Sequence, residues 1–99
     1  MAANKVQLYD CEGETSVFVD AEITDSGDLL MSGQDVGKAP KEFWGDADYE
    51  YWVHVPAEHK DRVLLALVEK VYRGNRSAIS DFRGFLKEKS IPSTFQSWV

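Results

Sequence analysis

Apolar and polar residues alternate along the first half of the chain, which predicts β-strands there. The clearest alternation spans residues 15–24, where Val17, Val19, Ala21 and Ile23 fall on one face and Phe18, Asp20 and Glu22 on the other. A period of two residues is typical of an antiparallel strand that buries one face. Shorter strands are predicted at residues 6–9 and 29–32, separated from it by turn signals at residues 12–14 and 25–28.

A fourth strand is predicted at residues 49–55, in the most aromatic part of the chain. Tyr49, Tyr51, Val53 and Val55 fall on one face, and Glu50, Trp52 and His54 on the other. The first set matches the apolar face of the second strand, so we expect both tyrosine rings in the core with their hydroxyls at its rim. Residues 33–48 are predicted to form a loop with a short helical turn at residues 40–44, and the two glycines of GQDVG (33–37) are expected to allow a sharp turn after the third strand.

The second half of the chain has the periodicity of two helices. The first is predicted to start at Pro56 and to end at Gly74, with an apolar stripe of Val63, Leu64, Leu67, Val68 and Val71. The second is predicted at residues 77–89 with Ser77 as its N-cap. Phe95 and Trp98 predict that the tail, residues 93–99, docks. The order β-β-β-β-α-α predicts one α+β domain over residues 1–99, a four-stranded antiparallel sheet with two C-terminal helices packed on one face.

Charge is distributed unequally along the 99 residues, whose net charge is −6. Residues 1–58 hold thirteen acidic and three basic side chains, whereas residues 59–99 hold four acidic and eight basic ones. The acidic half would repel nucleic-acid phosphates, and the basic charges are spread along the helices as on a solvated surface. With one cysteine, no long apolar run and no signal-peptide core at residues 1–5, we expect a cytoplasmic protein that binds neither nucleic acid nor membrane.

The carboxylates at Asp46, Asp48 and Glu50 are candidates for metal binding. Counted from Asp46, the sixth residue is Tyr51 and the twelfth is Ala57, where a calcium loop of the EF-hand type needs glycine and glutamate. A weak cation site stays open as an alternative, but no metal and no cofactor are predicted.

Candidate catalytic residues are few. Two histidines, His54 and His59, and one distant cysteine do not make a zinc set. Cys11 lies between Asp10 and Glu12, which disfavour a thiolate nucleophile. A small hydrolase or transferase using His54 or His59 with nearby carboxylates is the enzymatic alternative, and GQDVG (33–37) lacks the lysine and hydroxyl residue of a phosphate loop.

The aromatic and acidic residues on the second face of the sheet favour protein recognition. The candidate partner-binding residues are Phe18, Asp20, Glu22, Trp44, Glu50, Trp52 and His54. Aromatic side chains dominate interface hot spots, and surrounding carboxylates would select a basic partner. The hypothesis is a non-enzymatic protein-binding module, with toxin neutralisation by an immunity-like protein as one version. Two alternatives remain: a homodimeric structural module, and a structural cluster in which the loop with Phe43 and Trp44 buries Trp52.

Several short motifs also resemble a small bacterial domain family without an assigned activity. They are GQDVG at residues 33–37, FWG at 43–45, YEYW at 49–52 and VPAEHKD at 55–61. The resemblance covers roughly residues 28–99. It implies a bacterial, intracellular protein and assigns no catalytic residue.

Overall fold

The computed structural model describes residues 4–45 and 47–98. They belong to two compact units, Met1–Val63 and Leu64–Val99, called here the sheet unit and the helical unit. Residues 1–3, Asp46 and Val99 lie outside the description, and with them part of the N-terminal segment, the first carboxylate of the calcium motif and the end of the tail. No helix in the described ranges is long and apolar enough to cross a membrane.

The sheet unit contains four antiparallel strands in the order of the chain. They are β1 (Lys5–Cys11), β2 (Thr15–Ile23), β3 (Leu29–Gly37) and β4 (Asp48–Val55). Helices follow the sheet, so the α+β prediction of a four-stranded antiparallel sheet followed by helices is confirmed. The packing of the helices on one face stays a prediction.

The third strand is longer than its sequence pattern predicts. It continues to Gly37, which pairs with Thr15, and a short helix α1 (Lys38–Trp44) follows at once. The Ala39 N–H donates to Thr15 Oγ1 at 2.8 Å, which fixes the start of α1 against β2. The predicted loop over residues 33–48 is therefore wrong in its first part, because glycines contribute no side chain to a period-two pattern.

The two glycines of this strand have different roles. Gly37 has a φ of 128°, and a Cβ there would lie 2.1 Å from the Glu14 carbonyl oxygen. The predicted turn is confirmed at this residue, since few side chains tolerate such a backbone. Gly33 lies in the middle of β3, so the same prediction is wrong for it. The ring of its register partner Tyr51 fills the space beside it.

The first strand contains a β-bulge. Gln7 pairs with Asp20 and Tyr9 pairs with Val19, which leaves Leu8 as the extra residue between them. A bulge bends a strand and increases its local twist. Because the register shifts at Leu8, Val6 and Tyr9 lie on the same face of the sheet, opposite Ala21 and Val19.

The register separates two faces of the sheet. The apolar face carries Val6, Tyr9, Val17, Val19, Ala21, Ile23, Leu29, Met31, Tyr49, Tyr51, Val53 and Val55. The acidic face carries Asp10, Phe18, Asp20, Glu22, Gln34, Asp48, Glu50, Trp52 and His54. Both tyrosines share the apolar face as the pattern indicates, although Tyr49 is 38% exposed and Tyr51 half-buried. Gly33 and Pro40 are the buried residues of the described chain.

The segment after β4 begins with a single 3-10 turn, Ala57–His59, and continues as α2 (Lys60–Tyr72). The predicted helix start at Pro56 is wrong, because Pro56 keeps an extended backbone with a ψ of 149°. Two contacts fix this junction to the β2–β3 turn. The Ala57 N–H donates to Asp28 Oδ1 at 2.7 Å, and Lys60 Nζ donates to the Gly27 carbonyl oxygen at 2.7 Å.

The helical unit contains α2 from Leu64 onward and α3 (Ala78–Glu88). Tyr72 and Phe82 meet edge to face with ring centroids 5.8 Å apart. Ser77 occupies the N-cap position of α3 as predicted, but its side chain makes no capping hydrogen bond. In the tail, Phe95 lies under the Arg83 guanidinium, whereas Trp98 is fully exposed. The docking prediction therefore holds for Phe95 and is wrong for Trp98.

Candidate protein-binding face

A groove of about 230 Å³ lies on the acidic face, and we call it the acidic groove. Its lining comprises Lys5, Phe18, Asp20, Ser32, Gly33, Gln34, Glu50 and Trp52. Four of the seven partner-binding residues expected from the sequence are among them. The sheet therefore brings Phe18, Asp20, Glu50 and Trp52 together around one concave surface.

The strand register explains how these side chains meet. Phe18 lies opposite Gln34, which lies opposite Glu50 in the next strand. One pair further along, Asp20 lies opposite Ser32, which lies opposite Trp52. Each row thus places an aromatic ring on one strand and a carboxylate two strands away. The small side chain of Ser32 between them lowers the floor of the groove.

The acidic groove carries more negative than positive charge. Lys5 Nζ lies 3.8 Å from Asp20 Oδ2 and partly neutralises it. Glu50 forms no ion pair with any described residue, and Trp52 beside it is 62% exposed. Gln34 donates from Nε2 to Asp48 Oδ1 at 2.9 Å, which holds the amide at the end of the groove. A cationic side chain could approach Glu50 and Trp52 together.

Two predicted residues lie on the acidic face but outside the groove. Glu22 lies opposite Leu30, which pairs with His54. The His54 ring turns toward the β2–β3 turn, where Nε2 lies 2.7 Å from Asp28 Oδ2. This contact, and then the Ala57 N–H, hold the pKa of Asp28 below its ordinary value. His54 thus ties β4 to the turn.

Trp44 is separated from the other predicted residues. Its ring stacks on Tyr49, with centroids 5.1 Å apart and planes 20° apart, and Tyr49 belongs to the apolar face. Tyr49 contacts Tyr51 in turn at 5.2 Å. The alternative in which the segment with Phe43 and Trp44 buries Trp52 is wrong, because Trp44 packs on the opposite face and Trp52 stays exposed.

A tyrosine–carboxylate pair on the apolar face was missed from the sequence. The Tyr51 hydroxyl donates to Asp35 Oδ1 at 2.7 Å. This hydrogen bond, followed by burial and by the charge of Asp35, raises the pKa of Tyr51 above its ordinary value. Asp35 and Gln34 are missed because the predicted third strand stops at residue 32, whereas β3 continues to Gly37.

Cys11 and the two histidines do not line the acidic groove. No group of three or more His, Cys, Asp or Glu side chains in the described ranges could hold a metal ion. Cys11 is exposed, and its hydrogen bond with Tyr9 raises the pKa of the tyrosine. His59 lies 4.0 Å from Glu58. Since Asp28 is shared between His54 and the Ala57 N–H, the His54–Asp28 pair has the geometry of a structural tie.

Comparison with the models of known protein families, with curated proteins and with solved structures gave no match.

Proposed function

We propose that the acidic face of the sheet binds a basic protein partner and that the protein is a non-enzymatic binding module. The observation that supports this function is the acidic groove, in which Phe18 and Trp52 flank a concave surface together with Asp20 and Glu50. Covering the exposed Trp52 ring removes apolar surface from water, and Glu50 beside it is available to pair with a cationic group of the partner. A partner that covers both gains apolar area and a charge-assisted hydrogen bond.

A single arginine or lysine side chain of the partner fits this arrangement. Its cationic head would reach Glu50, while its stem or guanidinium plane would lie on the Trp52 ring. Tryptophan is the most favourable ring for a cation–π contact, worth about 0.5–1 kcal/mol at an exposed site. The groove therefore favours a basic protein over an acidic or purely apolar one.

Long-range charge supports the same partner class. Residues 1–58 hold thirteen acidic and three basic side chains, so the sheet would attract a cationic surface before contact. Such steering accelerates association and weakens as salt is added. A protein that neutralises a basic toxin, as immunity-like proteins do, is the concrete version of this function, by analogy of size and charge.

The test compares two double variants in affinity capture from lysate. Trp52→Ala with Glu50→Lys changes the acidic groove, and Trp44→Ala with Glu42→Lys makes the same chemical changes on α1. We expect the wild type and the α1 variant to retain the same basic proteins, and the groove variant to lose them. Each captured protein is then purified and titrated against the three chains by calorimetry. Equal affinity for both double variants would contradict the proposal.

Light scattering distinguishes a hetero-partner from a second copy of the chain. The proposal expects a monomer mass for the purified wild type over the concentrations used in calorimetry. A dimer that dissociates on Trp52→Ala would instead identify the homodimeric structural module. Among the described residues, no contact of His54 or His59 specifically favours the hydrolase or transferase alternative.

A further inference from the structure

A second groove lies in the helical unit, along one side of α3, and we call it the basic groove. Its volume is about 530 Å³. One wall is a single face of α3, formed by Ser80, Arg83, Gly84 and Lys87, and the other is the returning segment 91–93. The lining is thus basic and hydroxylic on one side and apolar at Ile91 and Pro92 on the other.

The end of α3 builds the second wall. Ser90 has a left-handed backbone with a φ of 56°. The Ile91 N–H donates to the Leu86 carbonyl oxygen at 2.9 Å, and the Ser90 N–H to that of Lys87 at 3.1 Å. This is the Schellman arrangement, which satisfies the last carbonyls of a helix and reverses the chain. The chain after α3 therefore runs back beside the helix.

Two cations face the basic groove without a carboxylate partner. Arg83 and Lys87 are four residues apart on α3, and neither forms an ion pair with a described residue. Like charges at this spacing repel each other. Asp81, the carboxylate in the first turn of α3, accepts a hydrogen bond from Asn75 Nδ2 at 2.8 Å. The repulsion between the two cations would be relieved by an anion placed between them.

Phe95 positions one of these cations. The Arg83 guanidinium carbon lies 4.0 Å from the centre of the Phe95 ring. The cation–π attraction holds the guanidinium over the ring, and the N–H donors that do not face the ring stay available for an oxyanion. An arginine held in this way loses less side-chain freedom when it binds an oxyanion through two parallel hydrogen bonds.

Gly84 keeps the floor of the basic groove open. It lies in the interior of α3, where glycine destabilises a helix relative to alanine. A Cβ built on Gly84 would meet no atom within 4 Å, so neither sterics nor backbone angle requires a glycine there. The missing side chain leaves room for a bound molecule between the two walls of the basic groove.

We propose that the basic groove binds a small ligand that carries an oxyanion, a phosphate monoester or a carboxylate, on an apolar group. Arg83 and Lys87 bind the oxyanion, Ser80 and Ser93 donate hydroxyl hydrogen bonds to it, and Ile91 and Pro92 contact the apolar part. The volume lies within the range of about 300–1,000 Å³ that small-molecule sites occupy. The site is independent of the acidic groove and of the function proposed for it.

The test is a titration of the full 15N-labelled chain with phenyl phosphate, with benzoate and with phenol, followed by amide chemical shifts. We expect saturable shifts confined to residues 80–87 and 91–93 with at least one of the two anions, and none with neutral phenol. The tighter of the two anions identifies phosphate or carboxylate as the natural group. Saturation by phenol as strong as by the anions would overturn the proposal.

Matched variants locate the binding. Arg83→Gln with Lys87→Gln is expected to raise the dissociation constant of the tighter anion about tenfold or more, since the loss of one charge-assisted hydrogen bond weakens binding by about that factor. Lys70→Gln with Arg76→Gln removes the same charge elsewhere in the helical unit and should leave it unchanged. Gly84→Leu should abolish binding while helix content, measured by circular dichroism, is retained. Equal weakening by both charge variants, or full binding by Gly84→Leu, would show that the anion binds elsewhere.

Discussion

Tyr51 lies directly over Gly33 on the apolar face, so that a Cβ on Gly33 would come within 2.2 Å of Tyr51 Cε2. The two residues are register partners in β3 and β4. The ring cannot easily move aside, because its hydroxyl is bound to Asp35 at 2.7 Å and its face contacts Tyr49 at 5.2 Å. Aromatic side chains commonly cover strand glycines in this way. The middle of β3 therefore depends on a missing side chain.

Gly33→Ala is expected to lower the free energy of unfolding by about 1–3 kcal/mol, the usual cost of overpacking. The measurement is urea denaturation. Gly13→Ala is the matched control, because a Cβ there would meet its nearest atom at an ordinary 3.9 Å. Combining Gly33→Ala with Tyr51→Ala should cost less than the sum of the two single changes. Additive costs would show that the ring is not the obstacle.

Gly37→Ala should destabilise the sheet unit more than Gly45→Ala. Both glycines have a positive φ, 128° and 77°, and adding a Cβ to such a backbone lowers stability by about 1–3 kcal/mol. Only at Gly37 does the Cβ also meet a backbone atom, the Glu14 carbonyl oxygen at 2.1 Å. Thermal unfolding of the two variants measures the difference. The same melting temperature for both would contradict the close approach of residues 14 and 37.

Asp28 makes a contribution to stability that is lost at acid pH. Its pKa is lowered from the ordinary 3.8 by His54 and by the Ala57 N–H, so its contribution is fully present above that value and is lost as the pH falls through the lower folded value. Asp28→Asn should therefore reduce stability at neutral pH, and the difference from wild type should shrink as the solution is acidified below about pH 4. Chemical denaturation at several pH values tests this.

Asp25→Asn serves as the control for Asp28. Asp25 is exposed in the same turn and forms no ion pair among the residues that the structure describes. We expect its replacement to leave the acid dependence intact. A loss of acid dependence in both variants would assign the effect to the overall charge of the turn.

The contribution of Tyr51 to stability has the opposite pH dependence, because it is lost at alkaline pH. Donation to Asp35 favours the neutral phenol and raises its pKa above the ordinary 10.0, so this contribution is present below pH 10 and is lost as the pH rises through the raised value. The pKa of Tyr9 is also raised, so the absorbance titration uses a Tyr9→Phe background, in which Tyr51→Phe should diminish the late-ionising component. Asp35→Asn should move that component to lower pH, whereas Tyr72→Phe should not. An unchanged curve in Asp35→Asn would contradict the pair.

The sequence predicts those strands in which the type of each side chain indicates the face of the sheet on which it lies. Strands β2 and β4 alternate apolar and polar side chains, and both lie within one residue of the predicted bounds. The predicted third strand ends too early because Gly33 and Gly37 have no side chain that could continue the alternation. The start of α2 was misplaced because Pro56 suits an extended backbone as well as a first helical turn.

The candidate groove was predictable in part for the same reason. The alternation alone predicts the groove residues Phe18, Asp20, Glu50 and Trp52. It assigns each of them to one face of its strand, and the sheet then brings the two strands together. Trp44 could not be placed, because its face depends on the direction in which the chain leaves Gly37. The direction of the His54 ring was equally hidden, since Asp28, its partner, lies 26 residues earlier in the chain.

The bulge at Leu8 makes the two outer strands of the sheet unequal. Strand β1 is bent at that residue, and Lys5 adds a charge near its start, two features by which natural sheets discourage another chain from pairing along an edge. Strand β4 pairs with β3 over eight consecutive residues without interruption and with no fifth strand in the described ranges. Any intermolecular extension of this sheet, whether ordered assembly or aggregation on partial unfolding, should therefore begin at β4.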